Sequence, residues 1–152
     1  MYLPSIMAFL HHLAAFTLVA AVYAEVAIFR PPLQPAQARR LILTDLVLGT
    51  AAGVLLIVGL LRVFLFEKGE DYYFANGFFI AKLTAFVLAA LLSIYPTMVF
   101  LSWRKALARG EMPRIPQEQV RRVRMCLMFE LTAILVILFC SPFMADGLGH
   151  FG

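Results

Sequence analysis

Long apolar blocks alternate with short polar segments along the chain. Four blocks, at about residues 6–29, 41–66, 78–103 and 124–144, contain few charged residues. A helix needs roughly 20 mostly apolar residues to cross a bilayer, and each block reaches that length. The pattern therefore predicts an all-α fold, an integral membrane four-helix bundle that forms one domain over residues 1–152.

Proline and glycine residues predict where these helices end or bend. Pro31 and Pro32 end the first helix because proline has no backbone N–H and clashes with the preceding turn. Pro96 lies inside the third block and predicts a kink there. Pro116 begins a basic turn that extends the fourth helix at its start, and Pro142 and Gly147 are expected to end that helix near residue 144.

Composition and charge favour a membrane protein over a nucleic-acid-binding protein. The 152 residues are 62% hydrophobic and 14% charged, and the formal net charge is +4. The basic residues are concentrated in the first and third loops, and the second loop is acidic. Because basic loops stay in the cytoplasm, we expect both termini outside. The expected protein is a multi-pass protein of the bacterial inner membrane that contacts lipid and no nucleic acid.

Small residues in the second block predict close packing of helices. Gly49 and Gly53 form a Gly-x-x-x-Gly motif, and Gly59 follows on the same block. Glycines at this spacing let two helix backbones approach closely. The motif predicts tight packing within the bundle, and the alternative is a contact face of a homo-oligomer.

Ionisable residues inside the blocks are the candidates for function, because charges in hydrocarbon are costly and usually face the bundle interior. Their depths divide them into two layers, one near each face of the membrane. The residues are His11, His12, Glu25, Asp45, Arg62, Lys82 and Glu130.

The outer layer is basic. At 1.5 Å per residue, His12 lies roughly 9 Å and Lys82 roughly 6 Å inside the outer ends of their helices. Arg62 lies near the outer end of the second block, and His150 follows the fourth on the same side. These groups need an anion or a ligand to balance them, and the acids of the second loop are one source.

The inner layer is acidic and contains Glu25, Asp45 and Glu130. Three carboxylates at one depth repel one another unless they are protonated or paired. One interpretation is a structural layer of ion pairs, and the other is a proton path or an inner substrate site. The basic partners expected for the ion pairs are Arg30, Arg40 and Arg124.

The adjacent histidines point about 100° apart on a helix, so at most one faces a given pocket. Small residues such as Ala8 and Ala15 lie beside His12 and leave room for a flat cofactor. A histidine that only makes a hydrogen bond is the structural alternative. Haem ligation by His12 or His11 is the favoured functional interpretation, because helical bundles place cofactors between helices and imidazole is a common axial ligand. A metal ion at His12 or His11 is less favoured, since no second ligand lies one turn away.

Two short motifs resemble the small membrane protoporphyrinogen IX oxidases of bacteria. They are Phe9-Leu-His-His-Leu-Ala-Ala15 in the first block and Ile80-Ala-Lys-Leu-Thr84 at the start of the third. The length and loop pattern also resemble a family of bacterial membrane proteins known only by a domain-of-unknown-function label. That second resemblance covers most of the chain.

The resemblance to the oxidases implies a functional pair of His12, or His11, with Lys82, and a b-type haem bound by the histidine. The chain departs from the oxidase pattern at two places on the first helix. Val19 stands where the oxidases have tryptophan, and Glu25 stands near the position of an arginine.

The leading hypothesis is a membrane redox protein that binds haem b or a porphyrin near its outer face. His12 or His11 would ligate the iron, and Lys82 and Arg62 would pair with propionates, since cations suit carboxylates. As an enzyme it would oxidise a porphyrinogen or exchange electrons with a quinone, with Lys82, Glu25 and Glu130 as catalytic groups.

Two other hypotheses come from different classes of protein. One is an oligomeric proton- or metal-coupled transporter in which Glu25, Asp45 and Glu130 form the coupling site. The other is an assembly subunit whose polar residues pair with a partner protein.

Overall fold

Helices account for nearly all of the structure, a computed structural model that describes residues 2–66, 73–145 and 148–149. Over these residues the structure has no β-strand. The described residues include five α-helices with complete bounds. They are α1 Leu3–Ile28, α2 Pro35–Leu61, α3 Gly77–Ser102, the short α4 Arg104–Ala108 and α5 Gln117–Ala145.

Four of these helices, α1, α2, α3 and α5, are long and apolar enough to cross a membrane. This confirms the predicted all-α fold with four transmembrane helices. A π-helical segment, Arg62–Phe66, continues α2 beyond Leu61. The acids of the second loop and His150, to which the outer-layer interpretation assigned a role, lie outside the described residues.

The helix ends follow the proline and capping signals with one exception. Prolines occupy the first turns of α1 and α2, and the Gln37 side chain accepts a hydrogen bond from the Gln34 backbone N–H at 2.8 Å. Helix α5 starts at Gln117, as the basic turn after Pro116 predicted. Helix α5 passes through Pro142 and ends at Ala145, one residue beyond the expected end, so Pro142 alone does not end it; Gly147 lies outside the described residues.

The four long helices pack mainly as two pairs, α1 with α2 and α3 with α5, and contacts of α1 with α5 and of α2 with α3 join the pairs. Many large apolar side chains are exposed on the outer surface of the bundle, among them Phe16, Leu46, Leu91 and Phe139. A surface of this kind suits lipid rather than water.

Two apolar clusters fill the interior at different levels. The basic-end core lies where the two arginine-rich loops leave the helices and consists of Phe29, Leu33, Ala38, Leu41, Val99, Phe100, Trp103, Leu107, Val123 and Leu127. The central core lies nearer the middle of the helices and consists of Leu18, Ala21, Val22, Leu48, Ala51 and Ile134. We call the opposite end of the bundle, where α1 and α3 begin, the pocket end.

The packing predicted for the Gly-x-x-x-Gly motif is not what the structure has. Gly49 and Gly53 are exposed, and a Cβ atom added at either would meet nothing within 4 Å. Gly59 is the glycine that makes a close contact, because a Cβ atom there would lie 3.3 Å from Cε1 of His11. The motif therefore faces away from the bundle, and a role in a homo-oligomer stays a prediction.

Candidate functional site

An apolar cavity of about 210 Å³ lies at the pocket end between α1, α2, α3 and α5. Leu55, Phe79 and Phe86 are among its apolar lining residues, and Leu56 and Leu138 line it while also being exposed on the outer surface. The cavity therefore opens between helices toward the surface that faces lipid. Its polar lining residues are His11, Arg62, Tyr73, Lys82 and Ser141.

The structure shows which of the two adjacent histidines faces the cavity, which the sequence alone could not decide. His11 lines the cavity, and its imidazole lies against Gly59, whose missing side chain leaves the space that the ring occupies. His12 is exposed, and its Nδ1–H donates to the carbonyl oxygen of Ala8 at 2.7 Å. The two rings meet edge to face, with centroids 6.1 Å apart. Of the two residues, only His11 faces the cavity.

Lys82 lies in the second turn of α3 and brings a cation into the same cavity. Arg62 is within electrostatic range of its ammonium, and no acidic side chain among the described residues pairs with Lys82. A partly buried ammonium beside a second cation is unfavourable unless an oxygen acceptor approaches it. The geometry around Lys82 therefore suits a ligand that carries a carbonyl or anionic oxygen.

Asn76 fixes the position from which Lys82 projects. Its Oδ1 accepts hydrogen bonds from the backbone N–H groups of Phe78 and Phe79, which caps the start of α3. Its Nδ2 donates to the carbonyl oxygen of Leu148 at 3.0 Å, and Gly149 accepts a further bond from the N–H of Gly77 at 2.9 Å. These bonds tie the beginning of α3 to the chain beyond α5, so the lysine is held at the edge of the cavity.

The cavity contains side chains of the kinds that bind haem, but it is small. The imidazole of His11 and the cations Lys82 and Arg62 are the types of group that a haem needs. The volume of about 210 Å³ is below the roughly 300–1,000 Å³ of pockets that enclose drug-sized ligands. This volume is closer to that of a single ring than to that of an intact porphyrin macrocycle. Within the described residues, no three His, Cys, Asp or Glu side chains are grouped closely enough to hold a metal ion.

The three acids of the inner layer form a second site, which we call the carboxyl cluster. Glu25 of α1 is 1% exposed, Glu130 of α5 is 2% exposed and Asp45 of α2 is 8% exposed. Both Asp45 and Glu130 act electrostatically on Glu25. The fourth long helix contributes Thr97, whose hydroxyl donates to Oδ1 of Asp45 at 2.7 Å. All four transmembrane helices thus meet at this cluster.

The ion pairs expected for the acids are not what the structure has. Neither carboxylate oxygen of Glu25, nor Oε1 of Glu130, has a hydrogen-bond partner among the described residues. The arginines expected as partners are exposed, and none forms an ion pair with the cluster: Arg30, Arg40 and Arg124. Each lies five or six residues along the chain from an acid of the cluster, and this spacing puts Arg40 and Arg124 on a different face of the helix from Asp45 and Glu130.

The predicted catalytic residues do not come together. Lys82 lies at the pocket end, whereas Glu25 and Glu130 lie beyond the central core. Along α1 alone, His11 and Glu25 are roughly 21 Å apart at 1.5 Å per residue. The molecule therefore has two separate candidate sites of opposite charge.

Sequence reasoning missed several polar residues of these sites. Tyr73 and Ser141 line the cavity, and Thr97 bonds to the carboxyl cluster. Thr97 was detectable in principle, because it is a hydroxyl inside an apolar block at a depth similar to that of Asp45. Asn76 carried a weaker signal, since asparagine is a common residue at the start of a helix.

One family model matches residues 3–149, and its description reads "Predicted membrane protein (DUF2214)". The match confirms the resemblance to an uncharacterised family of membrane proteins, and no link to the protoporphyrinogen oxidases comes with it. No curated protein and no solved structure matches the chain.

Proposed function

The chain belongs to this family of predicted membrane proteins, and we propose that it is a quinone-linked redox protein whose cavity at the pocket end binds a quinone head group. The observation that carries the proposal is the placement of Lys82, without an acidic partner among the described residues, beside His11 in an apolar cavity. A quinone has an apolar ring and two carbonyl oxygens, and it dissolves in the lipid from which the cavity is reached.

The hydrogen-bond donors that line the cavity match the two carbonyl oxygens of a quinone ring. In the proposed complex the ammonium of Lys82 donates to one carbonyl oxygen, and an N–H of His11 donates within the same cavity. Hydrogen bonds from charged donors contribute about 1.5–3 kcal/mol, roughly twice a neutral bond. Leu55, Phe79 and Phe86 would enclose the ring and exclude water.

Reduction of a quinone to a quinol takes up two electrons and two protons. The resemblance to the oxidases suggests a porphyrinogen as the electron donor. Each two-hydrogen oxidation of a porphyrinogen releases two electrons and two protons, which is what one quinone takes up. In this proposal Lys82 and His11 would hold protons and deliver them to the quinone oxygens. Glu25 and Glu130 have no part in this step, because the central core lies between them and the cavity.

The membrane orientation belongs to the proposal as well. Loops rich in arginine remain in the cytoplasm, which places the basic end inside and the cavity in the outer leaflet. The protein would then be a multi-pass protein of a bacterial inner membrane with both termini outside.

Binding of a short-chain quinone to the purified protein, measured by equilibrium dialysis, tests the proposal. We expect Lys82→Met to weaken binding about tenfold to a hundredfold, because it removes a charged hydrogen bond while keeping an unbranched side chain of similar length. Lys105→Met is the matched control, since Lys105 is exposed on α4 and should leave binding unchanged. Equal affinity of wild-type protein and Lys82→Met would contradict the proposal.

An optical spectrum of the same preparation distinguishes quinone from haem. We expect no Soret band after expression with excess haem. A Soret band that is lost in His11→Ala and kept in His12→Ala would contradict the quinone proposal and support the haem expected from the sequence.

A further inference from the structure

We propose that Glu25, Asp45 and Glu130 form an occluded proton-binding site, with Asp45 held in place by the Thr97 hydroxyl. This site is separate from the cavity at the pocket end, and the inference does not depend on what that cavity binds. Three features of the cluster support the inference. Its buried carboxyl oxygens lack hydrogen-bond partners, its neighbouring ionisable groups are acidic, and apolar layers lie on both sides of it.

The unpartnered oxygens show that something is missing from the cluster. Glu25 and Glu130 are almost completely buried, yet three of their four carboxyl oxygens have no hydrogen-bond partner among the described residues. An ionised carboxylate in apolar surroundings without a partner is very costly, whereas a protonated acid is much less so. A proton bound to one of these carboxyl groups removes its charge and so lowers the cost of burying it.

Among the described residues, the groups that act electrostatically on the cluster are acidic, and no basic side chain forms an ion pair with it. Glu25 of α1 is influenced by Asp45 of α2 and Glu130 of α5, and α3 contributes the neutral Thr97. Helix α5 also places the thiol of Cys126 within electrostatic range of Glu130. Three close carboxylates cannot all be ionised without strong repulsion, which favours protons in the cluster. A metal ion is the weaker choice, because the described residues offer no metal-ligating group of three.

Apolar layers enclose the cluster on both sides. Each acid lies on the interior face of its helix about one turn from a residue of the basic-end core and about one turn from a residue of the central core, since positions three or four apart share a face. The flanking pairs are Val22 and Phe29 for Glu25, Leu41 and Leu48 for Asp45, and Leu127 and Ile134 for Glu130.

The enclosure determines how protons exchange. A proton bound as an O–H of Glu25 or Glu130 can leave only when one of the two apolar layers opens. The site therefore couples protonation to movement of the helices, and its exchange with bulk water should be slow. Binding involves only formation of an O–H bond at a carboxylate oxygen, with no electron transfer.

Infrared spectroscopy of the full-length protein in lipid bilayers tests the proposal directly. A protonated carboxyl group has a carbonyl stretching band distinct from the bands of an ionised carboxylate. We expect this band at neutral pH, and we expect it to shift slowly after transfer into D₂O because the site is enclosed. The wild-type spectrum alone is informative, so the test does not require any variant to fold.

Variants then assign the band. Glu25→Gln and Glu130→Gln keep the shape of the side chain, and each should lower the band clearly. Glu118→Gln is the matched control on α5, because Glu118 is exposed and forms a surface ion pair with Arg122, so it should leave the band unchanged.

Three outcomes would overturn the inference. The first is the absence of the band in wild-type protein at neutral pH. The second is a band that neither Glu25→Gln nor Glu130→Gln lowers. The third is a band that disappears when Na⁺ or K⁺ is added at constant pH, which would identify a metal cation as the occupant.

Discussion

The cavity at the pocket end and the carboxyl cluster are both polar sites inside an apolar bundle, yet they differ in charge and in space. The cavity holds Lys82 and Arg62 around an open volume that reaches the lipid-facing surface. The cluster holds buried acids between two apolar cores. A buried charge beside open space can be balanced by a ligand, whereas a buried charge without space can be balanced only by a proton or a very small ion. The free-energy cost of burying a charge in an apolar bundle thus leads to two different kinds of site.

Opening one wall of the carboxyl cluster should have the largest effect on stability. Phe100 is fully buried in the basic-end core, and Phe100→Ala should destabilise the protein by about 3–5 kcal/mol through lost packing and a cavity. Thermal unfolding in detergent measures this effect. In the same variant, the carboxyl band should exchange faster in D₂O, since one apolar layer is weakened. Phe129→Ala is the control, because Phe129 is exposed to lipid; equal effects of both substitutions would contradict the enclosure.

Filling the cavity at the other site should abolish ligand binding with a smaller effect on stability. Gly59→Val places side-chain atoms against His11, which should cost about 1–3 kcal/mol by overpacking and weaken quinone binding at least tenfold. Gly53→Val is the matched control, because nothing lies within 4 Å of a Cβ atom there. Equal loss of quinone binding in both variants would show that the cavity is not the binding site.

The same control variant tests the homo-oligomer. If the exposed face of Gly49 and Gly53 packs against a second copy, Gly53→Val should convert a dimer into a monomer in size-exclusion chromatography with light scattering. An unchanged mass would remove the sequence-based argument for that interface.

Thr97→Val should have an intermediate effect confined to the carboxyl cluster. The substitution removes the hydrogen bond to Asp45 and leaves a buried oxygen without that donor, which should cost about 1–3 kcal/mol. Thr50→Val is the control, since the Thr50 hydroxyl bonds to the carbonyl of Leu46 on the exposed face of α2. Quinone affinity should be the same in both variants, and a loss in Thr97→Val would mean that the two sites are coupled.

The smallest effect is expected at His12. Because this residue is exposed and bonds to the backbone of its own helix, His12→Gln should leave quinone binding unchanged within about twofold. His11→Gln should weaken it, because it replaces the imidazole in the cavity. If His12→Gln weakened quinone binding in equilibrium dialysis more than His11→Gln did, His12 and not His11 would contact the ligand.

The sequence predicted the helices well because spanning a membrane is a local property of length and composition. Which face of a helix points inward depends on the other helices and not on local sequence. This explains the wrong predictions for the glycine motif and for the ion pairs. The spacing of Gly49 and Gly53 is compatible with an interior or an exterior face, and neighbouring small residues could not decide between His11 and His12. The pairing of acids with loop arginines was wrong because the arginines are exposed, whereas the acids are buried on the interior faces of their helices.

The depth argument predicted the two layers, but it could not predict which side chains within a layer meet. His11, Arg62 and Lys82 share a cavity, and Glu25, Asp45 and Glu130 share a cluster, as their depths indicated. The contributions of Thr97 and Asn76 depend on the relative rotation of helices and on the path of the chain beyond α5. Neither quantity is encoded in the hydrophobic pattern of a single block.

Photolabelling with an azido-substituted quinone, mapped by mass spectrometry, tests the central claim most directly. The account predicts labels near Gly59 on α2, near Lys82 on α3 and near Ser141 on α5, all displaced by excess unlabelled quinone and lost in Gly59→Val. Labels that resist displacement, or that lie around Glu25 and Glu130 instead, would contradict it.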